Sequence, residues 1–331
     1  MAEEGAQESG TELVEVVTAA AAVAELDELE DRSRQLAAES RAASTWRAYD
    51  SDLRHFRAWC SDRQLQALPA EPLTLASYLA ALEQTHRPST IRRRLASISV
   101  AHQMAGFETP TADAGVQAVW SGIRRRHGIA PRKVKAARTK LVTTMVAPLS
   151  DRLADVRDRA LLLMGFAGAL RRSELVALDV EDITEDDDGL RLLIHSSKTD
   201  QEGVSTTIGL PYGSHPATCP VRAWRAWLAA SGISTGPAFR AVDRHGHMRT
   251  TRLSDRAVAN LVKRRAAAAG LDGLFAGHSM RSGFATEAYA KGTAELAIMR
   301  HGRWMSTAAV MRGYVAEGTI WNDNAAARLG L

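Results

Sequence analysis

Four separated segments of this 331-residue chain gather side chains that can handle a phosphate ester. Residues 168–175 read Gly-Ala-Leu-Arg-Arg-Ser-Glu-Leu, which sets Arg171 and Glu174 three apart. Residues 197–200 read Ser-Lys-Thr-Asp and place Lys198 between two strand-like runs. Residues 277–286 read Gly-His-Ser-Met-Arg-Ser-Gly-Phe-Ala-Thr, so His278 and Arg281 are also three apart. Residues 302–306 read Gly-Arg-Trp-Met-Ser, and Tyr314 follows ten residues after Trp304. Guanidinium groups present planar forks of N–H donors to phosphate oxygens. A histidine or lysine moves protons, and a tyrosine hydroxyl becomes a nucleophile once it gives up its own. Taken singly, each residue also has an ordinary reading. Arg171 could lie along a helix surface, Lys198 could decorate an exposed hairpin, and His278 or Trp304 could be core. Tyr314 is one of five tyrosines. The joint order and spacing carry the signal.

That ordered set resembles the tyrosine recombinase (phage integrase) family, and the resemblance covers nearly everything from about residue 44 onward. The family has a Gly-x-x-Arg-x-x-Glu-Leu element, a lysine on a β-hairpin and a His-x-x-Arg at a helix start. A His or Trp and a C-terminal nucleophilic tyrosine complete its set. Matched residue by residue, the resemblance implies a catalytic set of Arg171, Lys198, His278, Arg281, Trp304 and Tyr314, with Glu174 supporting the first arginine. The neighbouring Arg172 lies one position off the motif and is expected to be structural. Two departures stand out. In the family the tyrosine usually follows the His/Trp position by about nine residues, and here Tyr314 follows Trp304 by ten, a difference that would rotate a continuous helix by roughly 100°. His301 stands three residues before Trp304 and could exchange roles with it; Trp304 is preferred, with His301 an ordinary polar residue of that turn.

The chemistry of the residues fits the resemblance. Cutting a phosphodiester without a metal needs fixed positive charge on the nonbridging oxygens, a nucleophile that loses a proton, and a leaving 5′ oxygen that gains one. Arg171 and Arg281 would supply the charge, whose contacts strengthen as the phosphate gains negative charge. Tyr314, with an ordinary pKa near ~10, would be activated by that charge and by His278 as proton acceptor. Lys198 would protonate the leaving oxygen, and Trp304 would pack against the phosphate and donate its indole N–H. No cofactor is expected: the chain lacks a phosphate-binding Gly-x-x-x-x-Gly-Lys loop and a Gly-x-Ser-x-Gly elbow. No metal is expected either, because His245-Gly246-His247 reads as an exposed loop and Asp186-Asp187-Asp188-Gly189 as a hairpin turn. The resulting reading is a site-specific DNA recombinase working through a covalent 3′-phosphotyrosyl intermediate. Two others use the same residues: a catalytically silent architectural DNA binder, and a type IB topoisomerase-like or resolvase enzyme. The partners implied are double-stranded DNA at a specific site and further copies of the chain, four on two DNA sites, with residues 322–331 docking on a neighbouring copy.

The elements that must position these residues show in charge and periodicity. Residues 1–40 hold eleven acidic and two basic residues and read as an acidic flexible arm. Residues 41–140 hold seventeen basic and seven acidic residues, a balance that suggests a polyanionic partner. Within them, residues 41–127 show four helical patterns, which make a compact bundle. Ser44 and Thr45 are expected to cap the first helix, whose apolar face is Trp46, Tyr49, Leu53, Phe56 and Trp59; Ser89 and Thr90 are expected to cap the third. Off the apolar faces lie two arginine triplets, Arg92, Arg93, Arg94 and Arg124, Arg125, Arg126. Together with Thr45, Arg47 and Thr90, and with Arg132 and Lys133 of a basic linker over 128–140, they are the expected DNA contacts. Residues 141–331 read as a catalytic domain with strands near 176–182, 190–196 and 204–210 and helices from Pro220 to the end. The fold class is mostly α with two domains: a SAM-like four-helix core-binding bundle and an α+β catalytic domain with a small antiparallel sheet. The resemblance implies that the two form a clamp on DNA. Two cysteines and no long apolar run argue for a reducing compartment without a membrane anchor, hence the cytoplasm, at the nucleoid.

Overall fold

The computed structural model describes residues 28–29, 31–33, 35–36, 39–128, 135–195 and 205–304. The chain divides into two compact units between Arg132 and Lys133.

The first unit contains α1 (Ala43–Ser61), α2 (Pro72–Glu83), α3 (Pro88–Met104) and α4 (Ala114–His127). Pro72 and Pro88 open α2 and α3 at first-turn positions, where a missing N–H costs no helical bond. Asp113 caps α4 by accepting from the N–H groups of Gly115 and Val116. The expected caps move inside their helices: α1 starts after Ala42 and α3 after Arg87, with Ser44, Thr45, Ser89 and Thr90 already helical. The buried stripe of α1 is Asp52, Phe56 and Cys60, so Trp46 and Tyr49 sit half-buried at one end as an edge-on pair. Phe56, Tyr78, Leu79, Ile91 and Ile98 form the centre of this core, each apolar side chain contributing roughly 1.5–3 kcal/mol on burial.

The second unit is built around α6 (Leu153–Ala167), apolar on nearly every face of its second half, with Ala160, Leu161, Leu162 and Met164 fully buried. Around it lie α5 (Thr139–Val146), α7 (Arg172–Ala177), α8 (Pro220–Ser231), α9 (Asp255–Ala268), α10 (Ser279–Ala290) and α11 (Glu295–Gly302). A three-stranded antiparallel sheet runs in the order β1 (Ile183–Asp186), β2 (Gly189–Ile194), β3 (Thr206–Pro211). Leu190, Leu192 and Ile194 alternate inward with Ile208 and Leu210 opposite. Asp186 pairs with Gly189 across the two-residue turn expected there. At Gly189, φ is +150°, and a Cβ would lie 2.1 Å from the Leu210 carbonyl oxygen.

Three expectations are corrected. Residues 176–182 are no strand: they hold the end of α7 and a short 3₁₀ turn at Val180–Asp182. Their alternating Val176, Leu178 and Val180 mimic a strand, while the carbonyls of Val176, Ala177 and Leu178 all accept from Arg252 Nη1 at 2.7, 2.7 and 3.0 Å. Secondly, the stretch after Pro220 is not wholly helical. A hairpin, β4 (Arg240–Val242) and β5 (Met248–Arg252), interrupts it, and its turn is tied by Asp243 accepting from the N–H groups of His245 and His247. Thirdly, residues 135–138 of the basic segment pack on the second unit. Lys135 N–H bonds Leu274 O and Ala137 N–H bonds Ser279 O, each at 2.8 Å, and Arg138 Nε meets Glu287 at 2.6 Å. Gly283 permits this approach, since a Cβ there would sit 2.1 Å from Ala137 O. No helix among the described residues is long and apolar enough to cross a membrane.

Candidate active site

The turn from α6 into α7 is the frame of the site. Gly168 ends α6, Ala169 adopts a left-handed φ of +47°, and Arg171 is the residue before the first turn of α7. The i, i+3 spacing of Arg171 and Glu174 is a capping geometry: the Glu174 carboxylate reaches back and accepts the Arg171 backbone N–H at 2.8 Å. Its other oxygen holds Arg171 Nη1 at 2.5 Å. Arg281, in the first turn of α10, is 1% exposed, and its Nη1 donates to the Ala169 carbonyl at 2.5 Å. Two arginines 110 positions apart are thereby anchored on one four-residue turn. The left-handed conformation of Ala169, about 1–2 kcal/mol unfavourable for a residue with a Cβ, turns that carbonyl toward Arg281.

The third contribution comes from the end of α11. Gly302 closes the helix, Arg303 is left-handed at φ +55°, and Trp304 folds back so that its ring lies over the Arg281 guanidinium, 4.1 Å from carbon to ring centroid. Arg303 Nη2 donates to Glu174 at 2.8 Å, and its Nη1 donates to the His301 carbonyl at 2.9 Å. Glu174, 3% exposed, therefore bridges two guanidinium groups. Burial pushes its carboxyl upward, but Arg303 and the bonds and charge of Arg171 outweigh burial and hold it below the usual glutamate value. Burial lowers the Arg303 guanidinium, opposed by Glu174. Among the described residues, three guanidinium charges gather around one carboxylate, a surplus of positive charge suited to an anion that gains charge during reaction.

His278 is exposed at the start of α10, one turn before Arg281. His301 takes a different place: its Nε2 lies 2.8 Å from the Ala167 carbonyl, which makes that nitrogen the donor, and its ring stacks on Phe284 at 4.8 Å. Burial lowers its pKa. Trp304, not His301, touches the arginine. Arg172 packs its aliphatic stem over Gly277, where a Cβ would sit 1.9 Å from Arg172 Cδ. Lys198 and Tyr314 lie outside the described residues, as do Arg132, Lys133 and segment 322–331.

Comparison with known proteins follows the same division. The family model described as "Phage integrase family" matches residues 135–318, more than half of the chain. The chain belongs to the phage integrase family. A second model, the SAM-like N-terminal domain of phage integrases, matches residues 33–107. Among curated relatives, an integrase/recombinase xerD homolog of Selenomonas ruminantium is 40% identical over 296 residues, covering 88% of this chain and 86% of that protein. The recombinase cre of Escherichia phage P1 is 28% identical over 287 residues, covering 81% and 82%. Two solved structures share the fold. A lambda integrase dimer bound to a COC' core site aligns with TM-score 0.58 at 16% identity over 87% of this chain and 76% of that one. The XerH recombinase in a post-cleavage complex aligns with TM-score 0.56 at 15% identity, covering 79% and 73%.

In the SAM-like unit of this integrase-family chain, the basic residues divide by environment. Arg47, Arg92, Arg124, Arg125 and Arg126 are exposed, while Thr45 and Thr90 are half-buried. Arg92 and Arg124 line one cleft with Pro88, Ser89 and Trp120. Arg93, also exposed, forks onto Asp52 with bonds of 2.8 and 2.9 Å. Arg94 corrects the expectation that both triplets face outward. It is 8% exposed and directs Nη1 to the Tyr78 hydroxyl and His55 Nδ1, both 2.9 Å away. Position 94 follows Ile91 by three and precedes Ile98 by four, so it lies on the inward face of α3. Burial raises the Tyr78 phenol to about 12, against the pull of Arg94.

The residue that sequence reasoning passed over is Arg303. Its sequence setting, between a glycine and a tryptophan, assigns it no role, and only the fold brings it to Glu174, 129 positions away.

Proposed function

We propose that the chain is a site-specific DNA recombinase that cuts and rejoins strands through a covalent 3′-phosphotyrosyl intermediate. One observation carries this reading: Arg171, Arg281 and Trp304, distant in sequence, converge around the 168–171 turn as a preformed cationic cradle. A cradle of guanidinium forks binds the nonbridging oxygens of a phosphodiester and strengthens its hold as they gain charge. Tyr314 Oη bonds to phosphorus while the bond to the 5′ oxygen breaks. The phenolic proton passes to His278, and the leaving oxygen takes a proton from Lys198. A 5′ hydroxyl of a partner duplex then attacks the phosphotyrosine, the bond from phosphorus to Tyr314 breaks, and the proton transfers run backward. One phosphate ester replaces another in each step, so no nucleotide is consumed. The lambda integrase relative has been solved as a tetramer on a Holliday junction; by analogy, four copies of this chain would assemble on two DNA sites. Its setting would be the cytoplasm, at the nucleoid.

The test is adduct trapping on nicked duplexes, in which the released fragment diffuses away and resealing fails. Detergent-resistant adducts that form with wild type and vanish in Tyr314→Phe are the expected result. Wild type that selects particular DNA sequences yet forms no adduct would make the chain a binding module instead.

A further inference from the structure

Arg303 sits in a contact whose form matches its neighbours' work but which the proposed reaction does not require. It is left-handed at the end of α11, and that conformation sends two successive side chains to different targets. Arg303 goes to Glu174 at 2.8 Å, and Trp304 goes to the face of Arg281 at 4.1 Å. The Arg303 main chain takes part as well, its carbonyl accepting from Arg171 Nη2 at 3.4 Å. The Arg303 side chain is only 7% exposed, so its charge is not a solvated ornament. Burying a guanidinium in a site that already holds two more is unfavourable unless each finds a partner. Among the described residues, the carboxylate that meets them is shared, at 2.5 Å to Arg171 and 2.8 Å to Arg303.

We propose that Arg303 is a positioning residue for strand cleavage: it takes up part of the Glu174 charge, so that Arg171 is oriented by that carboxylate without being neutralised by it. The inference rests on the reading that Arg171 and Arg281 hold the scissile phosphate. Without Arg303, one buried carboxylate faces Arg171 alone, the pair sums to zero charge, and the guanidinium is drawn toward Glu174 and away from the phosphate. The same residue latches the end of α11 to the 168–171 turn, eleven positions ahead of Tyr314 in the chain.

The test uses the full chain on a nicked duplex carrying its site, in single turnover with protein in excess. Arg303→Gln is expected to slow adduct formation about 100-fold, the scale of an ångström-level misplacement of a catalytic group, while binding to uncleaved duplex stays within about threefold, since most DNA affinity comes from phosphate contacts elsewhere. Arg303→Lys restores the charge and should recover at least about tenfold of that loss, less than wild type because lysine lacks the second donor arm. Glu174→Gln combined with Arg303→Gln should be no slower than Glu174→Gln alone, because the carboxylate that needed compensation is gone. On a duplex whose scissile phosphate is an uncharged methylphosphonate, the Arg303→Gln defect should shrink, which loss of folding alone would not produce. Arg303→Gln cleaving like wild type, Lys no better than Gln, or losses that multiply in the double variant would each overturn the inference. Should Arg303→Gln fail to fold, the Lys variant carries the comparison by its own rate and methylphosphonate ratio. Wild type without any adduct would sink the recombinase reading and this inference together; wild type with adduct and an unaffected Arg303→Gln would sink this inference alone.

Discussion

Adding one methyl group at Gly302 should disable the site without touching any charged residue. Gly302 has no left-handed backbone to explain its identity; what it lacks is room. A Cβ there would lie 1.7 Å from Trp304 Cζ3, 2.1 Å from Cε3 and 2.6 Å from Cη2. Carbon atoms sit comfortably at about 3.5–4.0 Å, so the ring must retreat by roughly 2 Å. That moves its centroid from 4.1 Å toward the outer limit for a cation over an aromatic face, about 6 Å. The contact forfeited is worth about 0.5–2 kcal/mol, or roughly a 2- to 30-fold loss of rate at 1.36 kcal/mol per decade. If the Arg281 guanidinium follows the ring, the loss approaches about 100-fold. Gly302→Ala should therefore cleave roughly 2- to 100-fold more slowly than wild type in single-turnover adduct formation, a range bounded by those two mechanisms. Trp304→Ala should show a comparable loss, and Gly302→Ala with Trp304→Ala should match Trp304→Ala alone, because the clash needs the ring. Wild-type cleavage by Gly302→Ala, or a double variant in which the two losses multiply, would refute the packing argument.

Three further outcomes are expected. Asp158, 0% exposed, joins Arg157, Arg264 and Arg265 beneath α6 and α9. Asp158→Ala leaves the buried Arg157 without its carboxylate and takes from Arg265 one of its two, and should cost about 3–5 kcal/mol in denaturant unfolding of the second unit; a loss under about 1 kcal/mol, the size of a surface pair, would contradict this. In the first unit, Arg92→Ala should lower the salt slope of DNA binding by about 1 with little change in melting, whereas Arg94→Ala should destabilise the bundle by about 1–3 kcal/mol and leave the slope alone. The reverse pattern would show that α3 presents a different face to DNA. His301 has a folded pKa below 6.5, so its contribution to stability is complete above pH 6.5 and is lost as pH falls through the folded value. The stability difference between wild type and His301→Gln should thus narrow below about pH 6.5, and a difference constant with pH would count against a buried neutral imidazole.

The helices of the bundle and strands β2 and β3 were legible because apolar periodicity and turn residues report on burial, and burial dominates those elements. Where expectation failed, a local pattern was overruled by a distant partner. Val176, Leu178 and Val180 alternate like a strand, yet Arg252, more than seventy positions away, collects their neighbouring carbonyls and ends a helix there. Arg94 counts as one of three equivalent arginines in a window, but helical geometry turns only that one inward to Tyr78 and His55. The β4–β5 hairpin escaped because its strands are short, three and five residues, with β4 half-buried throughout and β5 mostly exposed, so neither carries an apolar alternation.

The candidate site shows why motif spacing reached it where periodicity did not. Its groups stand at helix ends: Arg171 just before α7, Arg281 in the first turn of α10, and Arg303 and Trp304 just past α11. Helix ends leave backbone donors and acceptors without intrahelical partners. They are also where successive residues can leave in different directions, as the left-handed Ala169 and Arg303 do. Such positions carry no repeat, so only fixed offsets survive in the sequence. Arg171 to Glu174 is one such offset, because three residues is the distance over which a side chain can return to its own helix start. His278 to Arg281 is another, one turn at the head of α10. Arg303 has no offset of this kind: its partner Glu174 is 129 residues away, and the pairing exists only once α7 and α11 have packed. A residue of that class is invisible to spacing and to composition alike, and the variants of Arg303 and Gly302 are the experiments that expose it.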